Sequence, residues 1–217
     1  MNEVAWGALA LLGAFHGINP AMGWLFAVSL GLQERDRGAV IRALGPLALG
    51  HAAAIGAVVA VFAVASASLS GDALRYGAAA LLLSFGAFKL ARPFKHPRWA
   101  RMRVGAGQLA LWSFLMASAH GAGLMLLPAL GGLDASQAVG QDPHVALAGS
   151  VNAAGPAALA VGVHTAGMLV VAGVVALAVY QRLGVEILRR SWFNVDLLWA
   201  IALMVAGVYV LLLGLST

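Results

Sequence analysis

AFHGINP at residues 14–20 and SAHGAGL at residues 118–124 decide how this chain is read. Each sets a His-Gly pair, His16-Gly17 and His120-Gly121, inside a long apolar stretch. Pro20 follows the first pair. A proline inside a helix removes a hydrogen bond and clashes with the preceding turn, so this helix should kink or break there. Gly17, Asn19 and Pro20 fall within one turn and can unwind the backbone; Gly121 and Gly123 allow the same in the other stretch, more weakly because no proline follows directly. Moving outward, LGHAAAIGAVV (49–59) resembles GVHTAGMLVVAGVV (162–175), and SFGAFKL (84–90) shares a weaker pattern with MVAGVYVL (204–211). The order of features in residues 1–92 therefore recurs in residues 105–217, with a basic linker, 93–104, between them.

Of the 217 residues, 62% are hydrophobic and only 10% charged, against about 45–50% and 25% in soluble domains. Such a chain cannot cover itself with polar groups, so a soluble enzyme and a disordered chain are both excluded. A span needs about 20 mostly apolar residues, and six stretches qualify: Val4–Leu32, Ala43–Leu69, Leu74–Leu90, Ala106–Leu130, Ala157–Tyr180 and Val195–Leu213. The expected fold is an all-α integral membrane protein of six transmembrane helices. Three spans per half is an odd number, so the halves insert with opposite topology, the inverted-repeat plan common in secondary transporters.

Charge sets the orientation. Arg35, Arg37 and Arg42 fall between the first two spans, Lys89 to Arg103 between the third and fourth, and Arg182, Arg189 and Arg190 between the last two; only Arg75 stands apart. By the positive-inside rule these loops are cytoplasmic and both termini face outward, as in a prokaryotic inner membrane. The net charge of +5 is then orientation signal, and the basic linker meets anionic lipid rather than nucleic acid. No basic stretch precedes the first apolar run, so no cleavable signal is expected. The loop 131–156, rich in Gly, Ala and Ser, reads as an outer connection or short lid. His96 and His144 lie in loops and receive no role.

His16, His51, His120 and His164 lie inside spans. His16 and His120 are each roughly a dozen residues in, from opposite sides, which at about 1.5 Å per residue brings both near the midplane. His51 and His164 should flank it. Ionisable residues at membrane depth are functional candidates, set against the plainer reading of imidazoles as interhelical hydrogen-bond glue. Imidazole is the commonest metal ligand and suits Ni, Co, Cu or Zn. Asn19, one turn from His16, adds a carbonyl oxygen. Met116 and Met168 stand four residues from His120 and His164, and thioether with imidazole favours Cu(I); ordinary packing is their alternative. Asp196, at a span start, is placed to receive a proton or ion, or to cap its helix; Thr165 joins the candidate substrate-binding set. Gly17, Pro20, Gly121 and Gly123 are the candidate hinges. There are no cysteines, which removes thiolate chemistry, and no GxxxxGK[ST] motif, which removes ATP hydrolysis within the chain.

Two halves of three spans, with an Asn-Pro break in the first helix, resemble the LysE-type transporter superfamily. The run His16-Gly-Ile-Asn-Pro-Ala-Met-Gly-Trp-Leu-Phe-Ala-Val-Ser-Leu-Gly-Leu32 is similar to the first metal-site helix of the NicO-like nickel and cobalt permeases, and His120-Gly121 to their later His-Gly element. The paired Asp-His of those families is absent, with Gly23 and Trp24 where it would be sought, so the resemblance implies His16, Asn19 and His120 as ligands; His51 and His164 rest on the repeat. The expected function is secondary transport of a transition-metal ion held by the histidine cluster. The alternatives are a membrane metalloprotein or redox enzyme with His-ligated copper, iron or haem, and a LysE-type amino-acid exporter. The different depths expected for His51 and His164 argue against a haem between them. Expected partners are the lipid bilayer and the bound ion or small solute, with a homo-oligomer left open.

Overall fold

The computed structural model describes residues 3–66, 68–91, 105–126, 143–183 and 195–215. Within them it is all helical, with seven α-helices: α1 (Glu3–Ile18), α2 (Trp24–Glu34), α3 (Arg37–Ser66), α4 (Gly71–Ala91), α5 (Ala106–His120), α6 (Pro143–Ala178) and α7 (Val195–Leu215). Three-residue 3₁₀ turns follow α1 (Pro20–Met22) and α5 (Leu124–Leu126), and a π-helical turn, Val179–Leu183, closes α6.

Three of these helices contain stretches long and apolar enough to cross a membrane: Arg37–Ala65, Gly71–Ala91 and Gly155–Arg182. Shorter apolar segments run over Trp6–Ile18 and Ala200–Leu212. Surface and interior point the same way. Leu11, Leu49, Val64 and Val170 are among the most exposed side chains, while His16, His51, His120, His164 and Asn19 are buried. Apolar groups outside and polar groups inside suit hydrocarbon as the surrounding solvent. Together these features indicate a membrane location.

The helix boundaries depart from the sequence expectations most in four places, the first two with a local backbone cause. The first long apolar stretch is split, because Pro20 occupies the first position of the 3₁₀ turn and Gly23, at φ 104°, adopts a left-handed conformation that L side chains avoid. The fourth ends at His120 for the same reason: Gly121 caps α5 at φ 70°. The second helix begins at Arg37 rather than Ala43, so Arg42 is helical. The fifth begins at Pro143, so residues 143–156 of the expected outer loop continue the helix. The linker 93–104 and loop residues 131–142 lie outside the described residues.

The main packing partners are α1 with α6, α3 with α5, and α4 with α7; α3 also packs on α6 and α2 on α3. At the α1–α6 crossing, a Cβ on Gly13 would run into the His164 carbonyl. At the α4–α7 crossing, Gly86 lies against Met204 and Gly207 against Leu83. Each of these glycines meets the residue three positions before its counterpart.

The turn between α2 and α3 is held by charge. Arg42 reaches Glu34 and Asp36 at 3.0 Å each. The Asp36 carboxylate accepts the Gly38 amide at 2.8 Å. That bond first, then Arg42, holds the Asp36 carboxyl below its ordinary value. A depressed folded-state value contributes stability above the unfolded value, and that stability is lost as pH falls through the folded one. Thermal unfolding of the micellar protein should therefore weaken in acid below the ordinary carboxylate range. Asp36→Ala should flatten this dependence, and the effect is small because the side chain is half exposed.

Candidate functional site

The break after α1 brings the polar side chains together. His16 sits in the last turn of α1, His51 near the centre of α3 and His164 in α6. The His16 ring centre lies 4.8 Å from that of His164 and 5.5 Å from that of His51, edge to face in both cases. His51 and His164 stack at 5.5 Å with planes 7° apart. All three rings are fully buried. His51 and His164, drawn from different helices, thus come into direct ring contact. Their helices start earlier than the apolar pattern suggests, which moves each histidine toward the middle of its helix.

His120, the last residue of α5, is also fully buried and lies within charge-interaction range of His16. These two residues share a local geometry. His16 Nδ1 is 2.9 Å from the Leu12 carbonyl and His120 Nδ1 is 2.7 Å from the Met116 carbonyl, each one turn back. A carbonyl only accepts, so Nδ1 carries the hydrogen in both rings and Nε2 keeps the lone pair. Metal-binding histidines are commonly oriented by such a bond from the other nitrogen. Nitrogen-15 NMR of the neutral protein should show His16 and His120 as the Nδ1–H tautomer. An Nε2–H signature at either would contradict the geometry.

Several buried polar atoms have no hydrogen-bond partner: both ring nitrogens of His51, the Asn19 Nδ2 and the Thr165 hydroxyl. The Leu9 carbonyl lies beside His164 but outside hydrogen-bonding geometry for its ring nitrogens. Each orphaned group costs about 1–3 kcal/mol. Packed interiors ordinarily leave few of them, and here four buried residues carry them, Asn19 in the helix break itself and His51 and His164 in contact with the His16 ring.

The break itself is well satisfied. Asn19 Oδ1 accepts the Ala21 amide at 2.9 Å, the Asn19 amide donates to the His16 carbonyl at 3.1 Å, and the Trp24 indole donates to the Ile18 carbonyl at 3.1 Å. Trp24, which stands where the resembled families place part of their Asp-His pair, thus serves the backbone of the break; an indole four residues beyond Pro20 is the available signal. Met22 was overlooked. It is buried with Met116 and Ala21, with Trp112 packed against them.

The remaining candidates fall into place around this group. Met168 joins an apolar cluster with Leu47 and Ala172. Gly17 lies against the Met168 carbonyl and Gly123 against Val58. The side chain of Asp196 lies outside the described residues. Among the described residues, no group of three or more His, Cys, Asp or Glu is arranged to hold a metal ion as the side chains stand. No family model, curated protein or solved structure matches the chain.

Proposed function

We propose that this protein is a secondary membrane transporter whose cargo, a transition-metal ion of the nickel, cobalt, copper or zinc group, is bound by histidines buried between its two halves. The observation that carries this reading is the mutual contact of His16, His51 and His164, fully buried and drawn from three helices at the point where α1 breaks. Bonds of about 2.0–2.1 Å from imidazole nitrogens to one ion place ring centres roughly 5 Å apart, close to the spacing found. Rotation of the rings about their own side-chain bonds would direct nitrogens at a shared ion, and the unpartnered ring of His51 supplies a lone pair for it.

The six-span inverted repeat is part of this proposal, and three observations support it. The chain shift that carries His16 onto His120 also carries the 3₁₀ turn at Pro20–Met22 onto that at Leu124–Leu126. Exchange of the halves turns the α1–α6 contact into the α5–α3 contact, and both are major interfaces. It also exchanges the two glycine contacts of the α4–α7 crossing. The likeness to NicO-like and LysE-type transporters, and an inner-membrane orientation with both termini outward, belong to the same reading. A haem held between two of these histidines fits poorly. Axial imidazoles stand on opposite faces of the macrocycle, and rings in direct stacked or edge contact leave no slot for it.

Metal analysis after growth in supplemented medium tests the proposal. The purified wild type should retain metal and His16→Ala should not. Equal, near-zero content in both would overturn it.

A further inference from the structure

We propose that Met22 and Met116 form a one-sided thioether subsite for a soft monovalent cation of the Cu(I) or Ag(I) kind, on the cytoplasmic side of the histidine cluster. This rests on the transporter reading, and it selects among the metals that reading leaves open.

The first support is an internal comparison. The chain shift that carries His16 onto His120 carries Leu12 onto Met116 and Met22 onto Leu126. The two arrangements are built alike. In one, Met22 of the 3₁₀ turn after α1 packs with Met116, one turn before His120. In the other, Leu126 of the turn after α5 shares a cluster with Leu12, one turn before His16. Leucine thus fills this place adequately in one half. Met22 is buried no better than Leu126, although Met116 is more buried than Leu12, and ordering methionine's longer, unbranched chain costs more side-chain entropy than ordering leucine. Ala21 and Met125 also correspond, so the second arrangement holds one thioether where the first holds two. The pair is therefore a chemical asymmetry between two arrangements that are otherwise built alike.

The second support is charge. Among the described residues, no buried side chain is acidic. The cost of burying an ion rises with the square of its charge, so a divalent cation among neutral donors is penalised far more than a monovalent one. Neutral thioethers and imidazoles match the preference of Cu(I) for soft ligands without adding charge.

The third is position. Met116 and His120 are one turn apart on α5, linked by the 2.7 Å bond from the His120 Nδ1 to the Met116 carbonyl. Met22 follows Asn19, whose buried Nδ2 has no partner. The subsite thus adjoins both the helix break and a histidine. The first helix enters from outside in the proposed orientation, so the turn beyond its break lies toward the cytoplasm. An ion leaving the cell would meet the thioethers before the three-ring cluster.

The test uses the full-length protein in nanodiscs. Cu(I) affinity is measured under reducing conditions by competition with a chromophoric Cu(I) chelator, and its ligands by X-ray absorption at the copper edge. The variant is Met22→Leu with Met116→Leu, which copies the side chains of the other half and preserves volume. Wild type should show copper–sulfur scattering. The double variant should lose that scattering and bind Cu(I) roughly tenfold or more weakly, with helicity by circular dichroism unchanged. Copper bound with no sulfur scattering in wild type, or unchanged affinity in the double variant, would overturn the proposal. Zn(II) and Ni(II) binding in His16→Ala reports on the histidine reading separately. Its loss there, together with unchanged Cu(I) binding in the double variant, would keep the transporter reading and remove this one.

Discussion

His51→Leu is expected to make the protein more stable and less able to bind an ion. The two ring nitrogens of His51 are buried without partners, and replacing such a group by an apolar one of similar volume relieves a penalty of about 1–3 kcal/mol. Its ring touches those of both His16 and His164, so the same change removes one of three converging donors. Loss of even an outer-shell partner typically weakens metal binding by about 10–100-fold, and loss of a direct donor should cost at least that. Thermal unfolding in micelles and metal titration on the same preparation give both numbers. Interhelical glue predicts the opposite pattern, a lowered melting temperature with no change in binding, and that result would remove His51 from the site. A rise in stability paired with loss of binding is the usual signature of a site kept at the expense of packing.

Gly13→Val is expected to produce the largest structural effect of any single change in α1. A Cβ at this position would run into the His164 carbonyl, with the Met168 amide beside it. Both neighbours are backbone of α6, so neither can swing aside as a side chain tip would. Overpacking of a core costs about 1–3 kcal/mol when side chains can adjust, and the cost here should reach or exceed the top of that range. The helices must separate, and the His16–His164 ring contact at 4.8 Å opens with them. Gly7→Val is the matched control, since nothing lies within 4 Å of a Cβ there. The prediction is a strongly lowered unfolding temperature and lost metal binding for Gly13→Val, with Gly7→Val close to wild type in both. Similar behaviour of the two variants would mean that α1 and α6 do not meet as described.

Much of the arrangement was legible because membrane sequences write their exceptions plainly. In a chain this apolar, His16, His51, His120 and His164 stand out as interruptions. Asn-Pro beside the first of them marked a break that the backbone makes. The helix ends were less legible. Arg37 and Pro143 begin helices whose first turns lack strong apolarity, so hydropathy alone started both too late. Nor does hydropathy show that His51 and His164 stack, since their contact joins two separate helices. The roles of Trp24 and Met22 were harder to read for a different reason: an indole serving a carbonyl across a break and a methionine packed with another methionine depend on pairings between segments. The Met22 pairing, with a residue of another helix, leaves no local pattern.

The satisfied break at residues 19–23 has a mechanical consequence. One uninterrupted apolar run in the sequence serves two different packing bodies, since α1 lies along α6 while α2 lies mainly along α3. Asn19 and Trp24 meet two of the backbone groups that the break releases, the Ala21 amide and the Ile18 carbonyl, so neither is left unpaired in hydrocarbon. Slow amide hydrogen exchange at Ala21, with faster exchange in the Trp24→Phe protein, would measure how firmly these bonds hold the break between the two packing bodies.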